Sequence, residues 1–143
     1  MDITALPFNR FIGIGRSDRD GAVLSLVEHE RYTNHLGTVH ASALLALAEA
    51  TSGEFLVDVL GGLAFEVVPV VRRIEAKFKK PASGAVHSKL GDMGAAQREF
   101  LDALIGRGRA LITIPVNIFD SQDVQVLNAN VEWFVARKNE NQA

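Results

Sequence analysis

Glu49 stands near the middle of a run from Val39 to Leu60 that is otherwise mostly Ala, Leu and Val. An ionised carboxylate among apolar side chains is costly unless it is paired, solvated or used as a base or nucleophile. The run's other acids, Glu54 and Asp58, are four residues apart and share a helical face, which fits a solvated side near a helix end. Glu49 does not join them, because the nine residues to Asp58 turn an α-helix by about 180°. Its own face carries Ser42, Leu45, Ala46, Ser52, Gly53 and Leu56. Most of these are small, so a substrate or another subunit's helix can approach the carboxylate closely. The pattern alone leaves two readings open: a carboxylate that does chemistry, and one that pairs with a basic side chain across a dimer interface. Just upstream, Asn34, Gly37 and His40 stand in the order N-x-x-G-x-x-H, and Glu49 follows the histidine by nine residues.

These residues need elements to hold them. The long run, Ala/Leu-rich and unbroken by proline, predicts a helix over about Val39 to Leu60, with Thr38 as N-cap and Gly61-Gly62 as the stop. Ala22 to Arg31 reads as a first strand after the turn-like Ser17 to Gly21. Val67 to Lys80 reads as a strand in which Ile74, Ala76 and Phe78 alternate with Arg73, Glu75, Lys77 and Lys79, setting an apolar face against a charged one. Val86 to Leu90 is a short strand, and Ala95 to Ile105 a small helix. Arg109 to Asp120 and Val124 to Arg137 are the last strands, joined by the turn DSQD, with Leu127, Ala129, Val131, Trp133 and Val135 on one face. A helix apolar on nearly all sides is normally buried, and an antiparallel sheet wrapped around it would do that. The expected class is α+β.

The bulk numbers bound the function. A chain of 143 residues with 48% apolar and 22% charged composition is long enough for one sizeable core and short for two, so a single domain over 1–143 is expected. A formal charge of -2 argues against nucleic acid as a partner. With no cysteine, thiol catalysis and disulfide bracing are excluded and a cytoplasmic location is expected. The start MDITALPFNRF has no apolar run of signal-peptide length, and no membrane span is expected because Glu49, Glu54 and Asp58 interrupt the most apolar window.

Asn34, Gly37, His40 and Glu49 in this register, before and along one apolar helix, resemble the hotdog-fold acyl-CoA thioesterases, in particular the branch with the phenylacetate-pathway and mammalian thioesterase-superfamily members. The segment RIEAKFKKPASG also looks like that family's second strand and its Pro/Gly-marked turn. The resemblance implies a central helix wrapped by an antiparallel sheet, a homodimer or homotetramer with sites at the subunit interface, and an acyl-CoA or other thioester substrate. It implies that Glu49 activates water or attacks the thioester, that Asn34 orients water or thioester, and that the Ala41 N–H at the helix start polarises the carbonyl. Gly37, which lets the chain turn into the helix, His40 and Ser42 are expected to line the substrate site. Where the family usually has His-Gly-Gly this chain has His40-Ala41-Ser42; the amide survives, but a Cβ narrows the site. The acid is often Asp, and Glu49 is one methylene longer.

His40 is expected to hydrogen-bond backbone and fix the loop. His35 precedes Glu49 by fourteen residues, a spacing that resembles hotdog dehydratases acting on hydroxyacyl thioesters, although their Pro-rich loop is missing from HLGTVHASALL. A non-catalytic hotdog protein that binds an acyl chain is a further alternative, with Ala41-Ser42 as its mark. No His/Asp/Glu set has metal-ligand spacing, so neither metal nor cofactor is expected. Arg72, Arg73, Lys77, Lys79 and Lys80 could meet coenzyme A phosphates or form a solvated sheet face. Asp92 to Gly108 could cap the acyl pocket or cover a sheet edge.

Overall fold

The computed structural model of the chain describes residues 1–138. A 3₁₀ turn at Ile3–Ala5 leads into the short helix α1 (Pro7–Ile12), which begins with proline at its first position and ends at Gly13 with φ 81°. Two short strands follow, β1 (Gly15–Arg16) and β2 (Leu24–Leu26), then a 3₁₀ turn at Glu30–Tyr32 and the long helix α2 (Ala41–Leu60). The rest is β3 (Val67–Phe78), β4 (Val86–Leu90), helix α3 (Ala96–Arg107), β5 (Arg109–Phe119) and β6 (Gln125–Arg137). All strand pairs are antiparallel, in the order β1-β2-β4-β5-β6-β3. The sheet curls around α2, which touches β2, β3, β4, β5 and β6. This is the α+β arrangement expected from the apolar helix. No helix among the described residues is long and apolar enough to cross a membrane.

Alternation decides the core. Ala110, Ile112, Ile114, Val116 and Ile118 of β5 are buried, as are Leu127, Ala129, Val131, Trp133 and Val135 of β6. Their counterparts on α2 are Leu44, Leu47, Ala48 and Leu56. A buried hydroxyl pair joins helix to sheet: Thr51 Oγ1 lies 2.6 Å from Ser88 Oγ, and Ser88 Oγ accepts from Leu24 N at 3.1 Å. One residue of β4 thereby ties α2 and β2 together.

Several expectations are corrected. The strand read over Ala22 to Arg31 keeps only Leu24–Leu26, because the backbone then turns through Glu30–Tyr32, with His29 Nδ1 accepting from Arg31 N. The cap read at Thr38 passes to His40: Thr38 is tied to Asn34 within the loop, and His40 Nδ1 accepts from Ser42 N at 3.0 Å. The first sixteen residues, to which no element was assigned, form a strap along α2. Their Arg16 reaches Glu54 at 2.5 Å and Asp2 at 3.5 Å, so Glu54 is 7% exposed, whereas Asp58 does face solvent. The apolar face expected for β3 is left uncovered, since among the described residues β3 is an edge strand paired only with β6, and Val68, Val70, Ile74 and Phe78 are all exposed.

The β5–β6 turn is wired into the body. Asp123 adopts φ 58°, a left-handed conformation that Asp tolerates better than most residues. Its carboxylate pairs with Arg19 at 3.0 Å and lies 3.1 Å from Nε2 of His87, which is buried and stacked on Phe119. Arg19 also donates to Ser121 O at 2.9 Å.

Replacing Ser88 with alanine removes the acceptor for a buried backbone N–H and the partner of Thr51, and is expected to cost about 1–3 kcal/mol. Urea unfolding should show this as a lower midpoint with an unchanged slope.

Candidate active site

The loop before α2 is built from its own side chains. Asn34 Oδ1 accepts from Leu36 N (2.9 Å) and Thr38 N (3.2 Å), and Asn34 Nδ2 donates to Thr38 Oγ1 at 3.0 Å. Gly37 sits at φ 72°, which a side chain would strain, and donates its N–H to Asn34 O. A bridge between Thr33 and Val39 closes the loop, and His40 N donates to Tyr32 O. Asn34 therefore shapes the turn in this conformation, with both its amide atoms engaged inside it.

The turn delivers the chain into α2 with His40 as N-cap. The His40 side chain accepts through Nδ1, so a neutral ring carries its proton on Nε2. Ser42 N–H is occupied by this cap, and the Ala43 and Leu44 N–H groups donate to His40 O. Among the described residues the Ala41 N–H has no acceptor, and Ala41 is exposed. A helix start with a free N–H attracts an anion or a polarised carbonyl oxygen.

Glu49 lies elsewhere. Eight residues separate it from Ala41, about 12 Å along the helix axis. It is half-buried and makes no ion pair among the described residues. Burial without compensation raises its carboxyl above the usual range, because the charged form is poorly solvated there. Behind it, Ser52 Oγ donates to Glu49 O at 2.7 Å and accepts from Trp133 Nε1 at 2.8 Å, fixing the indole against this turn of α2.

Glu49 opens on a groove of about 800 Å³ that runs along α2 past Gly53 and Leu56 to Leu60, with Ile3, Leu6 and Trp133 among its walls. The lining is mainly apolar, in the size range of small-molecule sites. Asn34, Gly37, His40, Ala41 and Ser42 thus form one cluster at the helix start. Glu49 forms the other, and one chain does not bring the two together. His35 is exposed on the loop. Neither Asp92 to Gly108 nor the basic residues of β3 line the groove; α3 packs Phe100 and Leu104 into the core against β5 and β6.

The strap and Trp133 are the groove residues that sequence reasoning missed as such. Trp133 was legible only as a core position. For the strap, proline at a first helical position and glycine six residues later were signals of a short helix.

Solved structures share this fold. A probable thioesterase from Pseudomonas aeruginosa superposes with a TM-score of 0.76 at 20% identity, over 95% of this chain and 91% of that one. A thioesterase candidate from Shewanella oneidensis gives 0.71 at 15% identity, over 93% and 90%. The BH2602 protein from Bacillus halodurans, crystallised with CoA, gives 0.66 at 16% identity, over 90% and 74%. A comparison with curated proteins gives no match. The family model described as domain of unknown function DUF4442 matches residues 12–135. The chain has the hotdog fold and belongs to the DUF4442 family.

Proposed function

We propose that this chain is a thioester hydrolase that releases free acid and thiol from an acyl-CoA or related thioester, at a site assembled from two copies. The observation that carries the reading is Glu49: a half-buried carboxylate with a raised pKa and no ion-pair partner among the described residues, set at the mouth of an apolar groove. Support for the substrate class comes from the thioesterase-like neighbours and from the CoA in the Bacillus halodurans structure.

The second copy follows from distance. A base and a carbonyl-polarising donor must act on the same few atoms, with reacting atoms about 3–3.5 Å apart. Within one chain, Glu49 and the Ala41 N–H are separated by about 12 Å of helix. Glu49 of one copy is therefore paired with the Ala41 N–H of another. The uncovered edge of β3, with Val68, Val70, Ile74 and Phe78 exposed, supplies surface for such pairing.

In the reaction, Glu49 takes a proton from water and the oxygen attacks the thioester carbonyl carbon. Negative charge on the carbonyl oxygen is met by the Ala41 N–H. Collapse breaks the C–S bond, and the proton held by Glu49 passes to the leaving thiolate. Direct attack by Glu49, giving an anhydride that water then cleaves, uses the same two groups. His40 and Gly37 hold the helix start, and Asn34 acts by shaping the loop.

Glu49→Gln should lower thiol release from the best of a panel of short, long and aromatic acyl-CoAs by about a hundredfold or more. Equal activity, or a wild type inactive throughout, would favour the acyl-binding reading. Ala41→Pro deletes the N–H at a first helical position where proline is tolerated, after a residue at ψ 138° that suits a following proline. It is expected to cost about a hundredfold or more with the helix intact by circular dichroism. Co-expressing the two inactive variants should restore about a quarter of wild-type activity, because half the dimers are mixed and each holds one whole site. No restoration would place both groups in one chain.

The raised carboxyl of Glu49 also has a stability signature. A folded-state value above the unfolded one gives stability that is full below the unfolded pKa and is lost as pH rises through the folded pKa. Glu49→Gln should therefore melt at a higher temperature than wild type at neutral pH, and the gap should close as pH falls through the carboxylate range.

A further inference from the structure

We propose that the face of the sheet turned away from α2 carries a second interface between copies of this chain, centred on the cross-strand row Val70–Phe134–Leu111, so that two pairs join back to back into an assembly of four.

Register defines the patch. In an antiparallel sheet, residues directly opposite each other share a face. Phe134 of β6 stands opposite Val70 of β3 on one side and Leu111 of β5 on the other. One row on, Ala136 stands opposite Val68 and Arg109. The residues that alternate with them, Ala110, Ile112, Trp133 and Val135, are buried toward α2, so this set points the opposite way. Val68, Val70 and Leu111 are 46%, 50% and 52% exposed, so neither α3 nor the strap covers them. Exposed apolar side chains scattered singly need no cause, but a contiguous patch across three strands marks an interaction surface. The rest of the same face shows the contrast: it carries Glu75, Lys77, Asn117, Asn128 and Asn130, as a solvated face does. Pairing along the edge of β3 engages its backbone groups and leaves the outward side chains uncovered.

Two charges point to a second copy as the occupant. Arg109 borders the row on one side and Glu132 on the other, each two residues from it along its own strand. Neither makes an ion pair among the described residues. Glu132 is half-buried, and Arg73 opposite it turns instead to Glu75 at 2.6 Å. A two-fold axis lying along the row stacks two copies face to face, each apolar row over its twin. The same rotation carries Arg109 of each copy over the row of Glu132 and Thr113 of the other, about 7 Å from the axis and across sheets about 10 Å apart. Arg and Glu side chains span that gap together, so two equivalent ion pairs form at once, as an isologous contact requires. The patch complements itself in charge as well as in apolar character. It lies across the sheet from α2, which carries Glu49 and Ala41, so it does not rest on the thioesterase reading.

Light scattering on the full chain should give the mass of four copies. Leu111→Asp should give two, with unchanged circular dichroism and thiol release per chain within about twofold of wild type. Arg109→Glu and Glu132→Arg should each raise the dissociation constant of the four-copy form by about tenfold or more, because each sets like charges face to face. The double reversal restores opposite signs and should return the constant to within about threefold of wild type, which two misfolded variants combined would not do. A folded Leu111→Asp that keeps the wild-type mass overturns the proposal. Charge reversals whose effects add instead of cancelling overturn it too. A wild type of four copies that Leu111→Asp splits, yet that releases thiol from no acyl-CoA, sinks the thioesterase reading alone. A wild type of two copies that Leu111→Asp splits into active single chains leaves the outer-face contact standing and sinks the two-copy catalytic site instead.

Discussion

Twenty residues of α2 present almost no polar side, and such a helix has to be enclosed before the chain can be stable in water. The sheet meets that requirement with the alternating apolar faces of β5 and β6, and the other strands extend the wrap on either side. Enclosure makes each polar group on the helix a separate problem. Thr51 is answered by Ser88, Ser52 by Trp133, and Glu54 by Arg16. Asp58 reaches water. Glu49 alone among the acids of the helix has no such answer among the described residues, and that is why the proposed function is built on it.

The positions of these groups divide the labour between loop and helix. Asn34, Thr38 and Gly37 build a rigid turn whose product is a helix start with one free N–H at Ala41. More than two helical turns later, Glu49 looks onto an apolar groove that the N-terminal strap helps to line. In the proposed reaction these two places would divide the polarising of a carbonyl from the activation of water, and a two-copy assembly would bring them to one substrate.

Much of this was readable in the chain. The unbroken apolar run predicted α2, and period-two alternation predicted the buried faces of β5 and β6, because both signals come from many residues acting in concert. The order of Asn34, Gly37, His40 and Glu49 pointed to the fold. What escaped was decided by single partners distant in sequence. Glu54 looked solvated because nothing near it announced Arg16, thirty-eight residues away. Ile74 and Phe78 read as one apolar face, but alternation reports two different faces without saying what covers either one. The cap moved from Thr38 to His40 because Thr38 was already engaged by Asn34. In the candidate site, the acid and the helix start could be named from sequence, but their separation along the helix and the walls set by Ile3 and Trp133 needed coordinates.

The turn between β5 and β6 has a practical side. Surface turns rich in Asp, Ser and Gln are natural places to splice in a tag or reopen the chain, since most tolerate insertion. This one is held at Asp123 in a left-handed conformation, tied to Arg19 on a distant loop and set against the buried ring of His87. An insertion there would release three segments at once, so engineered fusions belong at other points on the surface.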